Sequence, residues 1–221
     1  MTLIGRKFDE MCKNRPLCGE CRSRRRKFKK ADQKGHGRFS NFLIGFSNSE
    51  IHALEKGIDV LFVLESHGGH EDAFKEEKDF RTADQSAVWL RDYYLSEKIK
   101  KFHQYEIRKL LAVLRDERPP LQYFITDVVK CYVAKEGRNM LQAERYCSQY
   151  LKDQIDLLDP KIFVTFGNSA YKAMKRIGLS EDKIVRLVFP GSRSADRWVE
   201  QREDKSPIER IKEKLHANQG S

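Results

Sequence analysis

The sequence predicts an α/β fold, a three-layer α/β/α sandwich around a central, mostly parallel four-stranded sheet. Four short, apolar, β-rich runs, at residues 58–64, 123–129, 161–166 and 184–189, each stop at a polar or Gly/Pro turn. Stretches of helical spacing lie between them, and strands alternating with helices in this way pair in parallel with helices on both faces. With 39% hydrophobic and 34% charged residues in a chain of 221, one substantial core can form beneath a charged surface.

Residues 1–57 are the least regular part and are expected to form an N-terminal, cysteine-containing basic arm packed on the domain, with residues 58–221 forming a single α/β/α unit. The arm carries Cys12, Cys18 and Cys21, then the run R-S-R-R-R-K-F-K-K with Arg24, Arg25 and Arg26, then a Phe-containing stretch punctuated by Gly35, Gly37 and Gly45. The first strand, 58–64, delivers Glu65 to its carboxyl end, before the turn S-H-G-G-H. Helical patterns follow at 84–96 and 97–115, the second with apolar Ile99, Phe102, Ile107, Leu110, Leu111 and Leu114. Pro119 and Pro120 precede the second strand, which brings Asp127 and Cys131 to its end. A helix at 140–158 stops at Asp159-Pro160, because proline blocks continuation. The third strand leads through Gly167-Asn168-Ser169 into a helix ending at Arg176, with Asn168 expected as its N-cap. The fourth strand closes at Pro190-Gly191, and a last helix spans 207–216.

Open α/β sheets place their chemistry outside the carboxyl ends of the strands. Here those ends gather Glu65 and His67, Asp127, Asn168 and the segment after Phe189, which marks a site. Lys and Arg number 43 against 33 Asp and Glu, a formal charge of +10, the electrostatic footprint of a nucleic-acid binder. No apolar run approaches the roughly 20 residues that span a bilayer, and residues 1–9 lack the apolar core of a secretory signal, so a cytoplasmic protein is expected. Five cysteines in a reducing compartment argue for ligation of a metal or cluster over a disulfide framework.

Four stretches, in order along residues 18–198, resemble the uracil-DNA glycosylase superfamily, most closely its iron-sulfur branch, the family 4 enzymes. V-L-F-V-L-E-S-H-G-G-H-E-D is similar to a strand followed by Gly-Glu-Ala-Pro-Gly-x-x-Glu-Asp, with Glu65, Gly68, Glu71 and Asp72 in register and Leu64 and His67 in place of Gly and Pro. Y-F-I-T-D-V-V-K-C resembles Tyr-Ile-Thr-Asn-Val-Val-Lys-Cys, with Asp127 where the base-reading Asn belongs. Cys18, Cys21, Cys131 and Cys147 reproduce the spacing of the branch's cluster ligands, and the segment from Arg145 to Gly167 follows its helix-strand motif. F-P-G-S-R-S-A-D-R-W occupies the place of a His-Pro-Ser DNA loop, with Phe189 at the His position.

The resemblance implies a monomeric DNA glycosylase that breaks the N-glycosidic bond of a flipped-out base, in base-excision repair or against modified bases of foreign DNA. Four cysteine thiolates suit a [4Fe-4S] cluster, and a tetrahedral Cys₄ zinc site is the alternative. Cys12 lies outside the pattern, or replaces Cys18. Glycosidic cleavage passes through a sugar with oxocarbenium character, so a carboxylate must stabilise the cation or orient water. Glu65 has that place, with His67 or His70 to stabilise the departing base and Phe74 or Phe80 to stack on it beside Gly68. An ionised Asp127 only accepts hydrogen bonds, which suits the exocyclic amine of a cytosine-type base, whereas a protonated one donates to uracil O4. Ser192, Arg193 and Arg197, with Arg24, Arg25 and Arg26, are expected DNA contacts, and Trp198 is expected to pack.

Overall fold

The computed structural model describes residues 2–14, 45–66, 82–95, 102–130, 140–190, 197–198 and 204–219. In chain order these form α1 (Leu3–Asn14), β1 (Phe46–Ser47), β2 (Val60–Ser66), α2 (Ala83–Leu95), α3 (Phe102–Asp116), β3 (Tyr123–Val129), α4 (Met140–Leu158), β4 (Ile162–Phe166), α5 (Gly167–Arg176), β5 (Ile184–Leu187) and α6 (Pro207–Gln219).

The sheet order is β1-β3-β2-β4-β5. β2, β3, β4 and β5 are parallel, and they are the four expected strands. The sheet has a fifth strand as well: β1 pairs antiparallel with β3, Phe46 opposite Ile125. The stretch expected only to pack as an arm therefore ends as an edge strand. Gly45 makes this possible, with φ at +127°; a Cβ there would stand 2.1 Å from the Ile125 carbonyl oxygen.

β3 and β4 are buried along their whole length, as strands covered on both faces must be. α4 and α5 cover one face, α2, α3 and α6 the other, as right-handed crossovers require. Alternation along each strand sorts the side chains. Thr126 meets Gln154 of α4, while Phe166, on the opposite face, lies 6.4 Å from Trp198. Asp59 fastens the amino ends of three strands at once, accepting from the Gln122 backbone N–H at 2.8 Å and from Lys161 Nζ at 2.7 Å. The carboxyl ends are left to the site.

No helix is expected from the sequence at the amino terminus, and α1 corrects this. Ile4, Phe8 and Met11 are buried at helical spacing, and the Phe8 ring stacks on Phe124 at 5.4 Å. Polar contacts dock α1 on α2: Asp9 Oδ1 accepts from the Ala83 backbone N–H at 2.7 Å, placing an anion at the helix amino end. His52 bridges Asp9 and Asp84 at 3.2 and 2.6 Å. Boundaries elsewhere differ from expectation by a few residues: α6 runs on to Gln219, and β5 stops at Leu187.

Candidate active site at the strand ends

Asp127 lies near the carboxyl end of β3 and is 4% exposed. Its register partner on β2 is Leu64, 3% exposed, so these two side chains share a face. Glu65 comes one residue later, points to the opposite face and is exposed at the end of the strand. The two expected site carboxylates thus stand at neighbouring strand ends on opposite sides of the sheet. The strand-end position is what the sequence leads one to expect; the split between faces follows from the register and is not foreseen there.

At the ends of β4 and β5, Gly167, Asn168, Arg186, Leu187, Val188, Phe189 and Arg197 line an open cavity of about 450 Å³. Asn168 is not the helix cap. α5 starts at Gly167 with Phe166 as its N-cap residue, so Asn168 already lies inside the first turn, where its Oδ1 accepts from Arg186 at 3.3 Å. The Arg186 guanidinium also lies over the Tyr171 ring, 5.0 Å from its centroid. Phe189 is half-buried against the core, beside Gly167. Trp198 packs as expected, 1% exposed, and donates from Nε1 to Glu106 at 2.9 Å. Anchoring Trp198 in this way leaves its neighbour Arg197 exposed on the cavity wall. Two arginines and the amino end of a helix make this cavity electropositive.

Behind β3 is a polar cluster that the sequence does not reveal. Lys130 is 0% exposed, and its ammonium donates to Thr126 Oγ1 and, at 2.5 Å, to Gln154 Oε1. Thr126 Oγ1 donates to the same Gln154 oxygen at 2.9 Å. Burial drives the Lys130 pKa down to about 7, against the opposing pull of Asp127 and Cys147. Cys147 is itself buried in α4, 3% exposed.

Of the expected metal ligands, Cys147 is described; Cys18, Cys21 and Cys131 lie outside the described residues. So do His67, Gly68, His70, Phe74, Phe80, Ser192, Arg193, Arg24, Arg25 and Arg26. Among the described residues no three His, Cys, Asp or Glu side chains are grouped to hold a metal. Cys147 is buried in α4 and lies in the electrostatic field of Lys130. No described helix is long and apolar enough to cross a membrane.

A mostly parallel sheet flanked by helices, with acidic and basic groups at the carboxyl ends of its strands, defines an α/β/α protein with a candidate site at that edge of the sheet. The uracil DNA glycosylase superfamily model matches residues 70–215, more than half of the chain, and the chain belongs to that superfamily. The matched region contains Asp127, Lys130, Cys131, Cys147 and Arg197, and begins after Glu65. A search of curated proteins found no match.

Proposed function

We propose that this protein is a DNA glycosylase that hydrolyses the N-glycosidic bond of a flipped-out, cytosine-type or modified pyrimidine base. Membership of a superfamily that acts on DNA supports the reaction class. The observation that carries the base preference is the buried Asp127 carboxylate at the strand end, where the family motif has an amide. An ionised carboxylate accepts from an exocyclic amine, while a protonated one donates to a carbonyl and reads uracil. Exposed Glu65 stabilises the cationic sugar or orients the attacking water. Arg186 and Arg197 take DNA phosphates at the electropositive cavity, with Arg24, Arg25, Arg26, Ser192 and Arg193 as further contacts. His67 assists departure of the base, and Phe74 or Phe80 stacks on it beside Gly68.

Cys18, Cys21, Cys131 and Cys147 would hold a [4Fe-4S] cluster, as in the branch the sequence most resembles, or a zinc ion. Either group would supply a structural crosslink between the amino-terminal arm, the end of β3 and α4. The setting is base-excision repair or attack on modified foreign DNA.

A second reading, a DNA-binding protein without catalysis, is favoured by Phe189, whose ring packs toward the core at the position of the family's histidine. The two separate on oligonucleotides carrying uracil, cytosine, hypoxanthine or a modified cytosine. Alkali-labile abasic sites at one of these bases support the glycosylase. Binding with no abasic site at any of them supports the second reading.

A further inference from the structure

β5 ends the sheet order, and among the described residues no strand pairs with its outer side. Beside it, α6 is seated by Ile211 and Leu215, buried at a spacing of four. That seating fixes the neighbouring row of the helix: Arg210, Glu213, Lys214 and Ala217 recur at three- and four-residue steps and share one face. With Lys205 and the β5 residues 184–186, this face lines an open groove of about 560 Å³. From Arg210 to Ala217 the helix rises about 10 Å. Four cations line the groove against one carboxylate, Glu213, and Lys205 already holds that carboxylate. Arg210 is paired with Asp204 at 2.7 Å, whose side chain is 80% exposed. Lys214 forms no ion pair among the described residues, although Asp182 lies in its field.

We propose that the groove between β5 and α6 is a second phosphate-binding surface, which takes the DNA backbone flanking the target nucleotide as it leaves the strand-end cavity. This rests on the reading of the protein as one that acts on DNA. Arg186 lines both the cavity and the groove, so the two adjoin at its exposed side chain, and one backbone can run through both. Each strand of a duplex presents a phosphate about every 3.4 Å along the axis, so a groove of this length faces about three of them. The existing pairs do not block such a ligand. Exposed ion pairs are weak, and a phosphate replaces Glu213 on Lys205 without leaving the ammonium bare. The carboxylates of an acidic peptide would satisfy the same cations, but only a nucleic-acid backbone accounts for the junction at Arg186 with a cavity read as taking phosphate.

The test is a salt titration of binding by the full-length protein to an unmodified duplex of ~20 base pairs, about two helical turns. Lys205→Gln with Lys214→Gln removes two groove charges. The expected result is a slope of log K against log salt flatter by about 1.8, so that between about 50 and 200 mM salt the variant loses about tenfold less affinity than wild type. Lys212→Gln is the control: it removes the same kind of charge from the same helix, but its ammonium lies outside the groove and pairs with Glu117 at 2.7 Å. Its slope should match wild type. If the double variant does not fold, Lys214→Gln alone, which breaks no ion pair, takes its place with half the change in slope. A wild-type slope in the groove variant, or an equal flattening in Lys212→Gln, overturns the groove as a DNA surface and leaves the DNA reading standing. Wild-type protein that binds no duplex even at low salt overturns that reading, and the groove with it.

Discussion

Leu64 and Asp127 are register partners across β2 and β3, and that pairing sets Asp127 on the face opposite Glu65. In the proposed reaction the geometry has a use. A base read by Asp127 would lie on one side of the strand ends, and a catalytic Glu65 would have to act on its glycosidic bond from the other. Base reading and cation stabilisation would then be separate tasks for two side chains that do not compete for one pocket.

Glu65→Gln therefore separates chemistry from binding. Glu65 is exposed, so its substitution leaves stability within ~0.5 kcal/mol of wild type. Base release should fall by about 10²–10⁴-fold, the usual worth of a positioned acid or base. Single-turnover kinetics beside an affinity measurement check this; equal losses in both would mean Glu65 only helps to hold DNA.

Arg186 and Arg197 flank the cavity at the ends of β4 and β5. Replacing both by Gln should weaken DNA binding alike on all sequences. It should also flatten the dependence of log K on log salt by about 0.9 for each duplex phosphate that is no longer neutralised. A salt titration of binding reads both effects. Trp198 remains anchored by Glu106, so the change does not act through misfolding.

Phe8 is 0% exposed and stacked on Phe124. Phe8→Ala should cost about 3–5 kcal/mol in urea denaturation, the range for a buried aromatic truncated to a cavity. A cost under ~0.5 kcal/mol, the level of a surface change, would show that α1 contributes nothing to the core.

Gly45 and Gly57 both have positive φ, +127° and +86°, but only Gly45 faces an obstruction, the Ile125 carbonyl. Gly57→Ala should cost about 1–2 kcal/mol from backbone conformation alone. Gly45→Ala should cost more, because the pairing of β1 with β3 must open. Comparing the two urea midpoints isolates the steric part.

The parallel strands are legible in the sequence because each is a continuous apolar run ended by a breaker, and the helix stopping at Leu158 is legible from Asp159-Pro160. β1 is not, since two residues carry no periodicity. α1 does carry a signal, Ile4, Phe8 and Met11 at helical spacing, hidden among the charges and cysteines of an irregular segment. Asn168 is misplaced because a Gly-Asn-Ser sequence reads as a cap, whereas α5 has already begun at Gly167. Lys130 cannot be read as buried: a lysine is a surface residue until Gln154, 24 positions away, supplies its acceptor. The strand-end location of Glu65 and Asp127 is in the sequence; the face each occupies depends on register, which pairing alone decides.

The most direct measurement is abasic-site formation by wild-type protein and Asp127→Asn on matched oligonucleotides that differ only in one target base. Wild type is expected to release a cytosine-type base, and Asp127→Asn, which regains a donor, to shift release toward uracil. An identical substrate spectrum for the two proteins would contradict Asp127 as the base reader, and no abasic site with either protein on any base would contradict the glycosylase itself.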